Sequence, residues 1–322
     1  MNIRKIVFYT NNKPNGFPFS EAQTERLREA SKGAELVFTG IDEERLMLEA
    51  ADCDVAVAQN NFPLPGSFFE KAPQLKWVHC LMSGVDRMDI PKGVTLTSTK
   101  GTHGAPISEH VLAMMLFAAR KLGTARDNQH EKRWERISQL TELNGATAGI
   151  VGLGNIGSEV ASLLGRIGMR VIATSRSVPS EERMSVISAY YQKERFDEFL
   201  AECDHVILNV PLTAESRHMF SKEQFEKMKD SAWIINVARG AVINEVDLIE
   251  ALKNGCIAGA CLDVAETEPL PQDSPLWEME NVLITPHVAN STPRKMERIT
   301  DLLAENIRRY INDESLLYIE NS

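Results

Sequence analysis

Long hydrophobic runs are missing from this 322-residue sequence. Its most apolar helix-like stretch, residues 111–119, covers nine positions, against the ~20 that a membrane-spanning helix needs. The N-terminal apolar run at 6–9 is too short for a secretory signal, and no small-residue cleavage site follows it. Cysteine is sparse and unpatterned: Cys53, Cys80, Cys203, Cys256 and Cys261 form no CxxC pair and no zinc-ligand spacing. An odd count argues against a disulfide framework, and Cys80 within WVHCLM reads as a small hydrophobe. A reduced, cytoplasmic protein is expected. Excess positive charge is also absent. With 35 basic and 45 acidic residues the net charge is −10, which repels phosphate backbones and anionic membranes and argues against either as a partner. A small anionic substrate stays open, because it needs only a local basic pocket. His79, His103, His110, His130, His205 and His218 form no ligand cluster and read as structural, so no metal is expected.

What is present is an alternation of strand and helix signals, typical of α/β proteins. Over the first 100 residues, strands are expected at 6–9, 36–39, 54–58 and 77–82, with a helix opened by a Ser20/Gln23 capping box and closed by Gly33, and another at 42–51. Residues 106–122 carry Val111, Leu112, Met114, Met115, Leu116 and Phe117, apolar on nearly every side. Such a helix must be buried, as an internal core element or at a subunit contact. A second series follows, with strands at 148–151, 171–174, 206–210, 233–237, 258–262 and 282–285. Six strands with intervening helices describe a doubly wound parallel sheet. A charged amphipathic helix at 294–310 ends the chain.

The run AGIVGLGNIGSEVASLLGRIGMRVIATSRS carries the densest signal. Its Gly152, Gly154 and Gly157 form GxGxxG between an apolar strand and an amphipathic helix, and a further strand follows. Gly152 permits a tight turn, Gly154 lets backbone approach a pyrophosphate, and Gly157 packs helix on sheet. The N–H groups of Asn155 and Ile156 then face the phosphates. The bland alternative is a glycine turn with no ligand. After the second strand, where an NAD enzyme usually has Asp or Glu for the adenosine ribose, the chain reads Ser175-Arg176-Ser177. A guanidinium flanked by two hydroxyls suits a 2′-phosphate, so NADP is favoured over NAD; a plain surface arginine is the alternative.

Further on stand NVPLT from Asn209, INVARGAVINEVDLIEAL, CLDVAETEP and ITPHVANST, with MSGVDRMD near Met82 upstream. In this order the motifs resemble the D-isomer-specific 2-hydroxyacid dehydrogenase family, over nearly the whole chain and most densely from Gly149 to Thr292. The resemblance implies a Rossmann cofactor domain (101–289, with a dimerisation helix) inserted in a smaller flavodoxin-like substrate domain, formed by 1–100 and a returning helix in 290–322. It implies catalysis by Arg239, Glu268 and His287. All three follow strand ends, at the edge where open α/β sheets bind ligands. His287 would transfer a proton, Glu268 would orient it rather than the nearby Glu266, and Arg239 would grip the substrate carboxylate. Taken singly, each has an ordinary structural alternative: an ion pair, a solvated carboxylate, a turn residue.

The family pattern adds Val210, Pro211, Val237 and Ala238 along the cofactor, Asp263 at the nicotinamide amide, and Ser83 and Gly84, with Arg239 and His287, at the substrate. Gln59 and Asn60 line the same site or a solvated loop. Family members usually dimerise, so a homodimer is expected, with domain closure excluding water. The GAPISEHVLAMML stretch and the SRS turn resemble the glyoxylate/hydroxypyruvate reductase branch. A formate dehydrogenase is disfavoured by Glu268, and a phosphoglycerate dehydrogenase by the lack of a further domain after Ser322. The competing expectation is a dinucleotide-sensing protein that kept the fold without turnover.

Overall fold

The computed structural model describes residues 3–11, 19–85 and 87–320. Two compact units divide the chain: Met1–Thr102 with Thr292–Ser322, and His103–Ser291. The second is thus inserted in the sequence of the first.

In the first unit, β1 (Lys5–Phe8), β2 (Glu35–Phe38), β3 (Val55–Ala58), β4 (Trp77–Cys80) and β5 (Thr95–Thr97) form a parallel sheet in the order β2-β1-β3-β4-β5. That order is flavodoxin-like. β1, β3 and β4 are buried at every position, which explains their near-continuous apolar runs. Helices α1 (Glu21–Ala30), α2 (Glu43–Leu48) and α3 (Gly66–Lys71) connect them. The α1 start is the expected capping box, with Ser20 and Gln23 each accepting from the other's backbone N–H. Strand β5 is absent from the sequence reading because three residues, TLT, carry too little periodicity. The helix expected over 42–51 is shorter, since Glu49 already caps it.

The second unit opens with α4 (Gly104–Ala119) and α5 (Leu122–His130), where one helix to residue 122 is expected. Lys121 adopts φ +47°, a left-handed conformation that breaks the helix. Then follow β6 (Thr147–Val151), α6 (Asn155–Arg166), β7 (Arg170–Thr174), α7 (Glu181–Met184), β8 (Ala189–Tyr191), α8 (Phe196–Glu202), β9 (His205–Leu208), α9 (Lys222–Lys227), β10 (Trp233–Asn236), α10 (Glu245–Lys253), β11 (Gly259–Leu262) and β12 (Val282–Ile284). The parallel sheet runs β12-β11-β10-β9-β6-β7-β8. Counted from β6 this is 3-2-1-4-5-6 with a seventh strand added, the doubly wound Rossmann order. Its direction of winding reverses between β6 and β9, so ligands of such a sheet sit at the carboxyl ends of those strands. The edge strand β8 is again three residues and escaped the sequence reading.

Helix α11 (Lys295–Ile311) belongs to the first unit. Ile299, Leu303, Ala304 and Ile307 bury fully with Ile6, Phe8, Val55 and Val57; full burial of each such side chain contributes about 1.5–3 kcal/mol. Tyr310 stacks on Trp77 at 5.5 Å between ring centroids. Beneath that stack, Trp77 Nε1 donates to Thr97 Oγ1 (2.8 Å), which also shares a hydrogen bond with His79 Nδ1 (2.7 Å). No helix among the described residues is long and apolar enough to cross a membrane.

Burial lowers His79 to about 3, so the folded unit holds it neutral while the unfolded chain takes up a proton below pH ~6.5. Stability attributable to this histidine is therefore complete at neutral pH and is lost as pH falls. A His79→Gln variant, compared with the parent by urea unfolding, should lose about 2 kcal/mol less between pH 7 and pH 5.

Candidate active site

The carboxyl ends of β6, β7 and β9 form the first part of the site. Gly152 follows β6 at φ +97°, and its N–H donates to Thr174 O (2.8 Å) at the end of β7. A Cβ on Gly152 would lie 2.8 Å from Asn209 O beyond β9, and one on Gly157 would lie 2.1 Å from Gly152 O. Both contacts are with backbone and cannot yield. By contrast, a Cβ on Gly154 would meet nothing within 4 Å. This exposed N-cap glycine offers no side-chain cap, so the first N–H groups of α6, those of Asn155 and Ile156, lack intrahelical partners.

After β7, Ser175 Oγ donates to Ser177 O (2.7 Å), and Tyr190 Oη from β8 donates to Ser175 O (3.0 Å). The Ser175 proton, expected beside Arg176 as a phosphate donor, is thus spent inside the turn. Arg176 itself is exposed. After β9, Ser216 Oγ donates to Pro211 O (2.6 Å) and accepts from Thr213 N (2.7 Å), which shapes the Val210–Pro211 corner. Asn209 keeps both side-chain polar atoms buried with no hydrogen-bond partner.

The second part is built after β10, β11 and β12. Asn236, 1% exposed, accepts from Ala238 N (3.0 Å) and donates to Arg239 O (3.1 Å), folding Val237 and Ala238 into a tight turn. Arg239 projects from it, exposed, with Nη1 donating to Ala238 O (2.7 Å). Gly240 follows, and a Cβ there would fall 1.8 Å from Ala265 O. The Arg239 turn and the loop leading to Glu268 therefore abut backbone to backbone.

On that loop Glu268 Oε1 accepts from Ala265 N (3.3 Å), and Oε2 accepts from His287 Nδ1 (2.8 Å). The neighbouring Glu266 pairs instead with His218 Nε2 (2.6 Å) and accepts from Glu245 N (3.3 Å). Burial works to raise the Glu266 carboxyl, but His218, the Glu245 N–H and Arg217 outweigh it and hold it below the ordinary carboxylate range. The two carboxylates are thereby sorted, each to a different imidazole.

His287 adopts φ +53°, a left-handed conformation uncommon outside glycine. Its N–H donates to Asp263 O (2.8 Å). The Asp263 carboxylate, 2% exposed, accepts from Thr285 Oγ1 (2.6 Å), Val288 N (2.9 Å) and Ala289 N (2.9 Å). His110 Nε2, from α4, reaches Thr285 Oγ1 at 3.0 Å. Asp263 was expected at a nicotinamide amide; its oxygens here are largely taken up by the turn that presents His287. Asn236 and Thr285 brace these turns and are missing from the sequence reading, whereas His110, expected to be structural, contacts Thr285. Asn236 left one trace, a polar residue closing the apolar run WIIN.

Glu268 and His287 thus meet within the second unit, and the turn carrying Arg239 abuts the loop carrying Glu268. Ser83 and Gly84 lie beyond β4 in the first unit, where Asn60 Oδ1 accepts from Arg87 N (2.8 Å) and Gln59 Oε1 accepts from Asn11 N (3.0 Å). Asp86 of the MSGVDRMD motif falls outside the described residues. Among the described residues no group of three His, Cys, Asp or Glu could hold a metal ion.

Residues 112–289 match the model of the D-isomer specific 2-hydroxyacid dehydrogenase NAD binding domain. The chain belongs to the D-isomer-specific 2-hydroxyacid dehydrogenase family. It is 35% identical over 265 residues to the glyoxylate reductase of Korarchaeum cryptofilum, covering 80% of this chain and 79% of that one. It is 36% identical over 295 residues to the D-3-phosphoglycerate dehydrogenase of Archaeoglobus fulgidus, covering 90% of this chain but only 55% of that longer relative. A crystal structure of a family member from Xanthobacter autotrophicus Py2, in complex with NADPH and MES, superposes with a TM-score of 0.78 at 31% identity, over 99% of this chain and 98% of that one.

Family membership implies a nicotinamide dinucleotide, and the residues fit one. The backbone at Gly154 leaves open the volume that a side chain would fill, free N–H groups open α6, and the Asn209 amide lacks a partner within the protein. Removing the Asp263 carboxylate should release the His287 turn. An Asp263→Ala variant is expected to lose about 2–5 kcal/mol of stability, because three donors, that of Ala289 buried, lose their acceptor at once. Chemical denaturation of the parent and the variant measures the difference, and a loss below 1 kcal/mol would sink this account of the turn.

Proposed function

We propose that this protein is an NAD(P)-dependent 2-oxoacid reductase, interconverting a small 2-oxo acid and the D-2-hydroxy acid, with NADPH preferred and NADH possible. One observation carries the reading. The Glu268 carboxylate can only accept, so the 2.8 Å contact makes His287 Nδ1 the donor and leaves Nε2 as the nitrogen that can exchange a proton with substrate. The bound cofactor would supply or accept the hydride at the carbonyl carbon.

The protein's own groups account for the rest. In the reductive direction His287 Nε2 gives its proton to the carbonyl oxygen, and Glu268 stabilises the imidazolium both before and during that transfer. In the reverse direction the neutral imidazole recovers the proton from the hydroxyl. Arg239 is exposed, and among the described residues its guanidinium donates only to Ala238 O, so donors are left to grip the substrate carboxylate and polarise the adjacent carbonyl. Ser83 and Gly84 supply backbone contacts to the same carboxylate, and Val210, Pro211, Val237 and Ala238 line the cofactor beside Asp263. The 2′-phosphate of NADP is read by Arg176 with Ser177, the Ser175 proton being held by Ser177 O, since β7 ends without a carboxylate. Similarity to a glyoxylate reductase supports a glyoxylate- or hydroxypyruvate-like substrate.

Oxidation of NADPH and NADH against glyoxylate, hydroxypyruvate, pyruvate and 3-phosphohydroxypyruvate tests this directly. Turnover with glyoxylate or hydroxypyruvate and NADPH is expected, and His287→Gln should lower kcat by about a hundred- to ten-thousandfold. Tight NADPH binding without turnover on any member would favour a dinucleotide sensor instead.

The protein is also proposed to work as a cytoplasmic homodimer through α4 and α5. One face of α4 is buried by Ile107, Val111, Met114, Met115 and Ala118, yet Leu116 is 39% exposed, as are Leu122 (49%) and, beyond α5, Trp134 (102%) and Leu140 (42%). Apolar groups in such number on one segment favour a subunit contact. Burial pushes the thiols of Cys53 and Cys261 up to about 12, which suits unreactive cysteines in a reducing compartment. Light scattering should give about twice the 35.9 kDa chain mass, and Leu116→Asp with Trp134→Asp should halve it.

A further inference from the structure

We propose that Arg183 is a second guanidinium of the 2′-phosphate site, acting with Arg176 to select a phosphorylated adenosine ribose; this rests on the NADP reading above. Arg183 lies on α7, the short helix that follows the Ser175–Ser177 turn. Its side chain turns back toward the glycine loop, where Nη2 donates to Asn155 Oδ1 (2.6 Å) at the first residue of α6. The residue is half-buried, and a guanidinium held there by a neutral amide keeps its charge uncompensated. Glu181 and Glu182 precede it directly, yet among the described residues neither Arg183 nor Arg176 forms an ion pair.

The turn leaves a place for such a group. A phosphate dianion asks for several charged or polar donors, and Ser175 has directed its hydroxyl proton to Ser177 O. Tyr190 holds the same turn through Ser175 O, so the turn is fixed and short of donors. Arg183 supplies them from the side facing α6, with four of its five N–H groups still available after the Asn155 contact. The division of labour follows from position. Main-chain N–H groups at the α6 start serve the pyrophosphate, whereas Arg183 comes from the connection leaving β7, the strand that ends at the ribose. Asn155 thus links the two halves of the nucleotide site by fixing the arginine against the loop.

Calorimetric titration of the whole protein with 2′,5′-ADP and with ADP separates the possibilities, because only the first carries the 2′-phosphate. Arg183→Met is expected to weaken 2′,5′-ADP about ten- to hundredfold and ADP by less than about threefold. Arg183→Lys should recover part of the loss, and melting curves should stay superimposable on the parent's. Equal losses on both ligands would overturn the proposal by assigning Arg183 to the pyrophosphate, and unchanged 2′,5′-ADP binding would overturn it outright. If Arg176→Ala weakens 2′,5′-ADP while Arg183→Met does not, this inference fails and the NADP reading stands. A parent protein that binds 2′,5′-ADP no better than ADP would overturn both.

Discussion

The Asp263 carboxylate closes an all-apolar strand at 2% exposure, where an unpaired charge would cost several kcal/mol. It offsets that cost through Thr285, Val288 and Ala289, and its own carbonyl takes the N–H of His287. The same bonds hold His287 in a left-handed backbone conformation that the residue would otherwise rarely adopt. The imidazole then meets Glu268 across a single hydrogen bond. The geometry of the proposed proton donor therefore derives from an interaction one shell away from it, made by a group that touches no reacting atom.

Charge is distributed with the same economy on the nucleotide side of the sheet. A protein of net charge −10 follows β7 with Ser175-Arg176-Ser177 and no carboxylate, and holds Arg183 against Asn155 at the start of α6. Elsewhere arginines are commonly neutralised at short range, as Arg170 is by Glu202 and Arg195 by Glu198. Those exposed pairs add little to stability. Their relevance is contrast: an arginine tied to an amide or left unpaired remains an electrostatic resource for an anion.

Much of this was legible in the sequence. The glycine turn is legible because its geometry demands particular backbone conformations, and only glycine supplies the approach at residues 152 and 157. The fully buried strands of both sheets are legible for a related reason, since double-sided burial makes them continuously apolar. What stayed hidden depends on partners distant in sequence. His110 meets Thr285 across 175 positions, and Arg183 meets Asn155 across 28; no periodicity records either. The preference for Glu268 over Glu266 rests on a family motif, whereas the pairing of each carboxylate with a separate imidazole is visible only in the fold. The edge strands Thr95–Thr97 and Ala189–Tyr191 were invisible because three residues are too few to carry a pattern.

The contact at Gly240 bears on motion as well as on shape. With Ala265 O closer than any side chain could permit, the turn carrying Arg239 and the loop carrying Glu268 have no slack between them, and close-packed groups transmit displacement. Their fluctuations are therefore correlated. An anion held by Arg239 would drift in step with the carboxylate that aims His287, so thermal breathing of this edge would move the two ends of a bound substrate together instead of shearing it off the proton's path.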